Sequence, residues 1–176
     1  MAKSDSFFIR AQVTAKNDLS FAQNAIDLGA YVDALGKSVL RIHNIAVQVT
    51  DTTATTVRMT AGGANGEAKN AKAQFQLTTQ TQAAMVTGLD KSVIATGQLT
   101  AANLDNAVSF PSIVSESFDN LPQLWTNGYL VAVDTIYLGG SASDGFDENL
   151  VFTLVMECTV ETMTQAAAMA LALSQQ

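Results

Sequence analysis

The chain has 176 residues, of which 48% are hydrophobic and only 14% charged, and its formal net charge is −7. This length suits one domain with a core of its own. The negative charge argues against direct wrapping of nucleic acid, because surfaces that bind phosphates are rich in Lys and Arg. The first twenty residues contain only Lys3, Arg10 and Lys16 as basic residues, so the chain shows no basic arm.

A single cysteine, Cys158, excludes an intramolecular disulfide. It lies among apolar positions and is interpreted as a small buried hydrophobe rather than a reactive thiol. No apolar signal core follows Lys3, and no apolar run approaches the roughly 20 residues that a membrane helix needs. We therefore expect folding in a cytosol.

The first third of the chain shows strand patterns. Phe7 to Ala15 alternates apolar and polar residues, which predicts a strand. Residues 19–33 are ambiguous: Gly29 and Tyr31 favour a strand in the second half, whereas the first half also fits a helical turn. Ser38 to Thr50 is rich in Val and Ile on both faces, which predicts a strand inside a sheet.

The middle of the chain mixes strand and turn signals. Short strands are predicted at Val57 to Thr60, Ala71 to Thr79 and Val93 to Leu99. Asn65 and Gly66 predict a tight hairpin turn. Short helical segments are predicted at Thr81 to Thr87 and at Thr100 to Asp105, where Thr100 is the N-cap.

The pattern becomes clearer towards the end of the chain. Pro111 places the strand predicted at residues 107–117 at an edge or a bend. Residues 128–161 predict two long strands joined by an acidic loop rich in Gly and Ser. One face of the second strand is apolar, with Leu150, Phe152, Leu154, Met156, Cys158 and Val160. The other face carries Glu157 and Glu161, so one face packs on a core and the other meets water.

After Glu161 alanine dominates, and Met163 to Leu173 predicts a helix. Such a helix is too short to be stable alone in water, so it needs a docking partner. The chain is therefore divided into a β-sandwich over residues 1–162 and a C-terminal helical tail over residues 163–176. We expect the tail to contact a neighbouring subunit; the alternative is a cap over the sandwich.

The predicted fold is all-β: an antiparallel β-sandwich or single jelly roll of about eight strands, with a short C-terminal α-helix. Long connections at residues 99–106 and 118–127 favour a jelly roll over a simple meander. An up-and-down barrel is the alternative.

Few residues suggest a reaction. His43 is the only histidine and stands beside Arg41, which makes a poor start for a metal site, so it is interpreted as a half-buried sheet residue. No Gly-x-Ser-x-Gly sequence supplies a nucleophile elbow for a catalytic triad. The segment from Gly139 to Gly145 lacks the Gly-Lys-Ser/Thr ending of a phosphate loop and is interpreted as a mobile connection. We expect no enzyme activity.

Two clusters are candidate binding sites. Asp144, Asp147 and Glu148 are candidate ligands for a structural Ca²⁺, because this ion prefers hard oxygen ligands. Their spacing does not match an EF-hand, and a solvated loop tip is the alternative. No other cofactor is expected. Trp125 and Tyr129 could form a platform for stacking a sugar, or could anchor a loop over the core.

In length, strand density, low surface charge and C-terminal appendage, residues 6–161 resemble single-jelly-roll major capsid proteins. These belong to icosahedral DNA phages and archaeal viruses that have an internal membrane. The resemblance implies a structural, self-assembling coat protein of the virion, synthesised and folded in the host cytoplasm. It implies as partners further copies of the chain, other capsid subunits and an internal membrane or inner layer, without direct binding of nucleic acid. The alternatives are a phage tail or decoration protein and a carbohydrate-binding β-sandwich.

Overall fold

The computed structural model describes residues 5–33, 37–63, 67–118 and 122–176. The described residues form nine strands and one α-helix: β1 Phe7–Ala15, β2 Ala22–Asp27, β3 Ser38–Asp51, β4 Lys69–Thr78, β5 Val93–Asn103, β6 Ile113–Ser117, β7 Tyr129–Val131, β8 Thr135–Ala142, β9 Leu150–Thr162 and α1 Gln165–Ser174. A 3-10 helix, Pro122–Leu124, precedes β7. Among the described residues, no helix has the length and apolar character needed to span a membrane.

The strands form two antiparallel sheets, with the orders β1-β9-β3-β7 and β2-β8-β4-β5-β6. β1 pairs with β9, β2 with β8, β3 with β7 and β4 with β5, so the pairs are nested like those of one long hairpin. Pairing of β3 with β9 and of β4 with β8 joins them into the two sheets. This is the strand order of a jelly roll. The predicted fold class is confirmed, and β6 is an additional strand on the free edge of β5.

The core lies between the two sheets. The rings of Phe75 in β4 and Phe152 in β9 meet across it, with centroids 5.6 Å apart. The apolar face predicted for β9 is confirmed: Val160 is half-buried, and five side chains are fully buried, those of Leu150, Phe152, Leu154, Met156 and Cys158. Burial of this apolar surface is the main force that holds the sheets together.

Two of the predicted strands differ from those in the structure. The strand within residues 19–33 lies earlier than predicted, at β2, and residues 29–31 form a turn. The Asp27 carboxylate accepts a hydrogen bond from the Gly29 amide (2.8 Å), a local contact that ends the strand. The strand predicted at Val57 to Thr60 is reduced to one bridge between Met59 and Phe146.

Both helical segments predicted in the middle of the chain are wrong. β5 runs through Thr100 to Asn103 as a strand, and residues 81–87 form no helix. Instead the side chain of Gln76 satisfies the backbone of that loop. Its Nε2 donates to the Ala84 carbonyl (3.2 Å), and its Oε1 accepts from the Val86 amide (2.8 Å). The tight turn predicted at Asn65 and Gly66 lies outside the described residues.

The first of the two long strands predicted in residues 128–161 is in fact two short ones, β7 and β8, which belong to different sheets. Gly139 and Gly140, interpreted as part of a loop, lie within β8. A Cβ on Gly139 would lie 2.5 Å from Cζ of Phe21. Glycine at this position therefore makes room for an aromatic ring that packs on the strand.

The acidic loop after β8 is anchored to the body of the protein. Phe146 is fully buried in the core, and its carbonyl accepts from Nδ2 of Asn17 (3.0 Å). The Ser143 amide donates to the Lys72 carbonyl (2.9 Å), and the Asp147 amide donates to the Arg58 carbonyl (3.2 Å). Since a buried aromatic side chain and paired amides oppose opening, we infer an ordered loop.

Asp51, the last residue of β3, makes the stability of the fold depend on pH in the acid range. Its carboxylate accepts from the Thr55 and Thr53 hydroxyls and amides, and these hydrogen bonds, led by the Thr55 hydroxyl, lower its pKa from 3.8 to about 2. The folded state therefore favours the ionised form, so the stabilisation is present above pH 3.8 and is lost as the pH falls towards 2. Urea midpoints measured from pH 5 to pH 2 should fall less steeply in Asp51→Asn and Thr55→Val than in the unaltered chain. Equal slopes in all three proteins would contradict this assignment.

Candidate assembly surface

The connection between β5 and β7 carries an apolar edge. Within it, β6 pairs only with β5, and all five of its residues are exposed. The described residues include thirteen exposed large hydrophobic side chains. Seven of the thirteen lie in residues 104–125, namely Leu104, Val108, Phe110, Ile113, Val114, Leu124 and Trp125. Clusters of exposed apolar side chains mark interaction sites, and a free strand edge is a template for pairing.

This edge is held in place by specific contacts. Nδ2 of Asn103, a buried side chain, donates to the Val108 carbonyl (2.7 Å), and the Ser112 amide donates to the Ala102 carbonyl (2.8 Å). At the far end of β6, the Phe118 ring lies 5.7 Å from that of Phe75. The exposed side chains therefore belong to a fixed surface rather than to a loose loop.

Shallow grooves lie on both sides of β6. One, of about 560 Å³, has Ile113 on its wall together with Leu19, Ala71, Ala101 and Ala102. The other, of about 460 Å³, has Val114 on its wall together with Val49, Val57, Leu99 and Pro111. We call β6 and its two grooves the β6 edge.

The segment that carries β6 has no positive charge of its own, although Lys72 lines the Ile113 groove and Arg58 lies 6.0 Å from the Phe110 ring. Residues 104–125 contain no Lys or Arg, and their charged residues are Asp105, Glu116 and Asp119. An apolar edge with so few charges suits contact with a protein surface rather than with phosphate.

The three candidate calcium ligands do not form a cluster. Asp144, Asp147 and Glu148 are all exposed, and among the described residues no three His, Cys, Asp or Glu side chains come together as a metal site. Asp144 lies on the rim of the Ile113 groove, and Glu148 accepts from the Thr52 hydroxyl (2.9 Å). The calcium site stays a prediction, and this arrangement lends it no support.

His43 and Cys158, the other residues that could carry chemistry, make contacts typical of residues with a structural role. Nε2 of His43 lies 2.9 Å from the Thr159 hydroxyl of the neighbouring strand β9, as expected for a half-buried sheet residue. Arg41, on the same face, donates hydrogen bonds from two nitrogens to the Glu161 carboxylate, and this contact lowers the pKa of the Glu161 carboxyl. Burial, with a smaller effect from Glu157, raises the pKa of Cys158 to about 12, so the thiol is unreactive near neutral pH.

Trp125 and Tyr129 do come together, with ring centroids 5.8 Å apart. Their planes are inclined by 36°, so the two rings offer no common flat face for a sugar. The contact joins a loop residue to the first residue of β7 and fits the alternative of a loop anchor.

Sequence reasoning placed Pro111 at an edge but missed the β6 edge as a surface. The available signal was the combination of Val108, Phe110, Ile113 and Val114 with an absence of basic residues in one long connection. Because Pro111 and the short apolar runs also fit an ordinary strand, the exposure of these side chains became evident only from the sheet order.

No protein-family model matches the sequence, and no curated protein matches it. Thirty-one chains of solved structures match in fold. One of them, from Desmodium yellow mottle tymovirus, is 10% identical, and the match covers 93% of this chain and 90% of that one, with a TM-score of 0.35. A match at this level adds no argument about function, and the fold assignment rests on the strand order.

Proposed function

We propose that the protein is a structural virion protein, a coat protein that assembles with copies of itself. The β6 edge carries this proposal, because it places a fixed apolar strand edge on the outside of a jelly roll. The low charge density, 14% of residues, supports it, since contacts between neutral surfaces avoid mutual repulsion.

The more specific form of the proposal is a major capsid protein of an icosahedral DNA virus with an internal membrane or inner layer. The net charge of −7 supports it, because another component must then neutralise the genome. Its partners are further copies of the chain and other capsid subunits. A tail or decoration protein is the alternative on the same fold. A carbohydrate-binding module is less supported, because Trp125 and Tyr129 are inclined to each other.

Assembly through the β6 edge is tested by Ile113→Asp. The side chain of Ile113 is 57% exposed, so the variant should keep the melting temperature of the monomer. A central contact residue contributes about 2 kcal/mol or more to an interface, so the protein concentration at half-assembly should rise about 30-fold or more. Light scattering over a concentration series, with negative-stain microscopy of the particles, gives the measurement.

Leu89→Asp is the matched control, because Leu89 is 96% exposed and lies in the turn before β5, outside β6 and outside the residues that line its two grooves. It should assemble like the unaltered chain. The proposal fails if the unaltered protein stays monomeric at millimolar concentration. Equal loss of assembly in both variants would show that the β6 edge has no special part in it.

A further inference from the structure

The C-terminal helix does not pack on the strand that precedes it. Ala168 and Ala172 are buried in a small cluster with Val39 of β3 and Ala132, which follows β7. In its sheet β3 separates β9 from β7, so the tail leaves β9, crosses β3 and reaches the free edge of β7. The tail therefore covers a sheet edge.

Gln175 makes the closest contacts of the tail. Its buried side chain donates from Nε2 to the Leu130 carbonyl (2.6 Å) and accepts at Oε1 from the Ala132 amide (2.9 Å). In a strand the carbonyl of one residue and the amide two residues later point to the same side. The carboxamide of Gln175 thus takes the place that a peptide group of a neighbouring strand would have.

The body of the protein also holds the Gln175 backbone. The Thr79 hydroxyl and Nε2 of Gln80 both donate to its carbonyl, at 2.6 and 3.1 Å. The docking site is therefore a specific receptor for the end of the tail, formed by the β7 edge and the residues that follow β4.

The rest of the tail has few buried residues. Ala168 and Ala172 are the only buried residues of α1, whereas Leu173 is 68% and Met169 43% exposed. Two residues connect the helix to β9, and the second of them, Thr164, has an extended backbone. The first of them, Met163, is held by its amide, which donates to the Lys37 carbonyl (2.7 Å). Rotation at Thr164, beyond this hydrogen bond, would carry the helix away from its own β7 without disturbing the pairing of β9.

We propose that in the assembled protein the tail docks on the β7 edge of a second copy of the chain, so that neighbouring subunits exchange tails. This inference rests on the proposed function. The second copy is the expected occupant because its receptor is identical to the one that the tail already fits. Exchange keeps the hydrogen bonds of Gln175 and changes only the molecule that supplies them, and such exchange is a low-cost route to oligomers. It also leaves no β7 edge open to unspecific pairing.

Mixing two variants that each carry one added cysteine tests the exchange. One chain carries Ala132→Cys in the receptor, and the other carries Ala172→Cys in the tail; Cys158 stays in place because it is buried. After assembly of the mixture and mild oxidation, the expected result is a covalent dimer of the two different chains. The double variant in dilute monomer, where both cysteines are in one chain, shows that the pair can form. Particles that contain crosslinks only within single chains would overturn the exchange and leave the proposed function intact. A mixture without particles counts against the proposed function, and the exchange falls with it.

Gln175→Ala provides a measurement that needs no thiol. Loss of its contacts should lower the melting temperature of the monomer and, because the tail must leave its own β7 before it can exchange, should also increase the rate of assembly. Ser174→Ala is a matched control, since the Ser174 hydroxyl donates only to the Leu171 carbonyl of its own helix. A Gln175→Ala protein with a lowered melting temperature but an unchanged rate of assembly would show that the tail stays a cap within one chain, and would overturn the exchange.

Discussion

Replacing Phe152 with alanine should lower the free energy of unfolding by about 3–5 kcal/mol, the usual cost of removing a buried aromatic ring. Phe152 is fully buried and meets Phe75 of the opposite sheet, while Phe75 also contacts Phe118. The substitution therefore removes packing between the sheets and leaves a cavity at their contact. Urea denaturation of the monomer gives the measurement.

Glu157→Gln on the same strand is the control for Phe152→Ala. Glu157 lies on the opposite face of β9, so its loss of charge should cost under about 0.5 kcal/mol. Because a shift of one residue exchanges the two faces of a strand, a larger effect at Glu157 than at Phe152 would show that the register of β9 is wrong.

Gly128→Ala should be the second strongly destabilising substitution. Gly128 has a φ of +62°, and a Cβ there would lie 2.2 Å from the Ile42 carbonyl oxygen. A left-handed backbone costs a residue other than glycine about 1–3 kcal/mol, and the clash with β3 adds to that cost. Ile42 pairs with Tyr129, so relief of the clash would pull β7 away from β3. A fall in melting temperature of at least about 4 °C is expected, at about 2–4 °C per kcal/mol.

Gly88→Ala is the matched control, because no heavy atom lies within 4 Å of a Cβ at that position. It should leave the melting temperature nearly unchanged or raise it slightly, since alanine reduces the freedom of the unfolded chain. A similar fall in melting temperature in both variants would mean that the stability of the fold does not depend on the close approach of Gly128 to β3.

The sequence predicted those parts of the fold in which local pattern and burial agree. In β9 buried and partly buried side chains alternate from Leu150 to Thr159, and this alternation corresponds to its inner and outer faces. The C-terminal helix has a clear change of composition before it, and Thr164 caps it by accepting from the Ala167 amide (3.3 Å). In such segments neighbouring residues carry most of the information.

Prediction failed where a distant residue decides the local conformation. Gly139 has the composition of a loop, but Phe21 packs against it and the segment is a strand. Residues 81–87 have a composition that allows helix, but the Gln76 side chain bonds their backbone instead. The β6 edge belongs to the same class, since its exposure depends on the final order of strands.

The nested pairing has a consequence for the order of events during synthesis. The second sheet, from β2 to β8, is complete once residue 142 has left the ribosome, whereas β1 and most of β3 have no long partner until β9 follows. The gap from Ala15 to Leu150 takes on the order of ten seconds at about 5–20 residues per second. During that time β1 and β3 carry apolar strands whose only extended partner has not been made. The last strand therefore closes the first sheet in a single late step, after every other strand of the sandwich has been made.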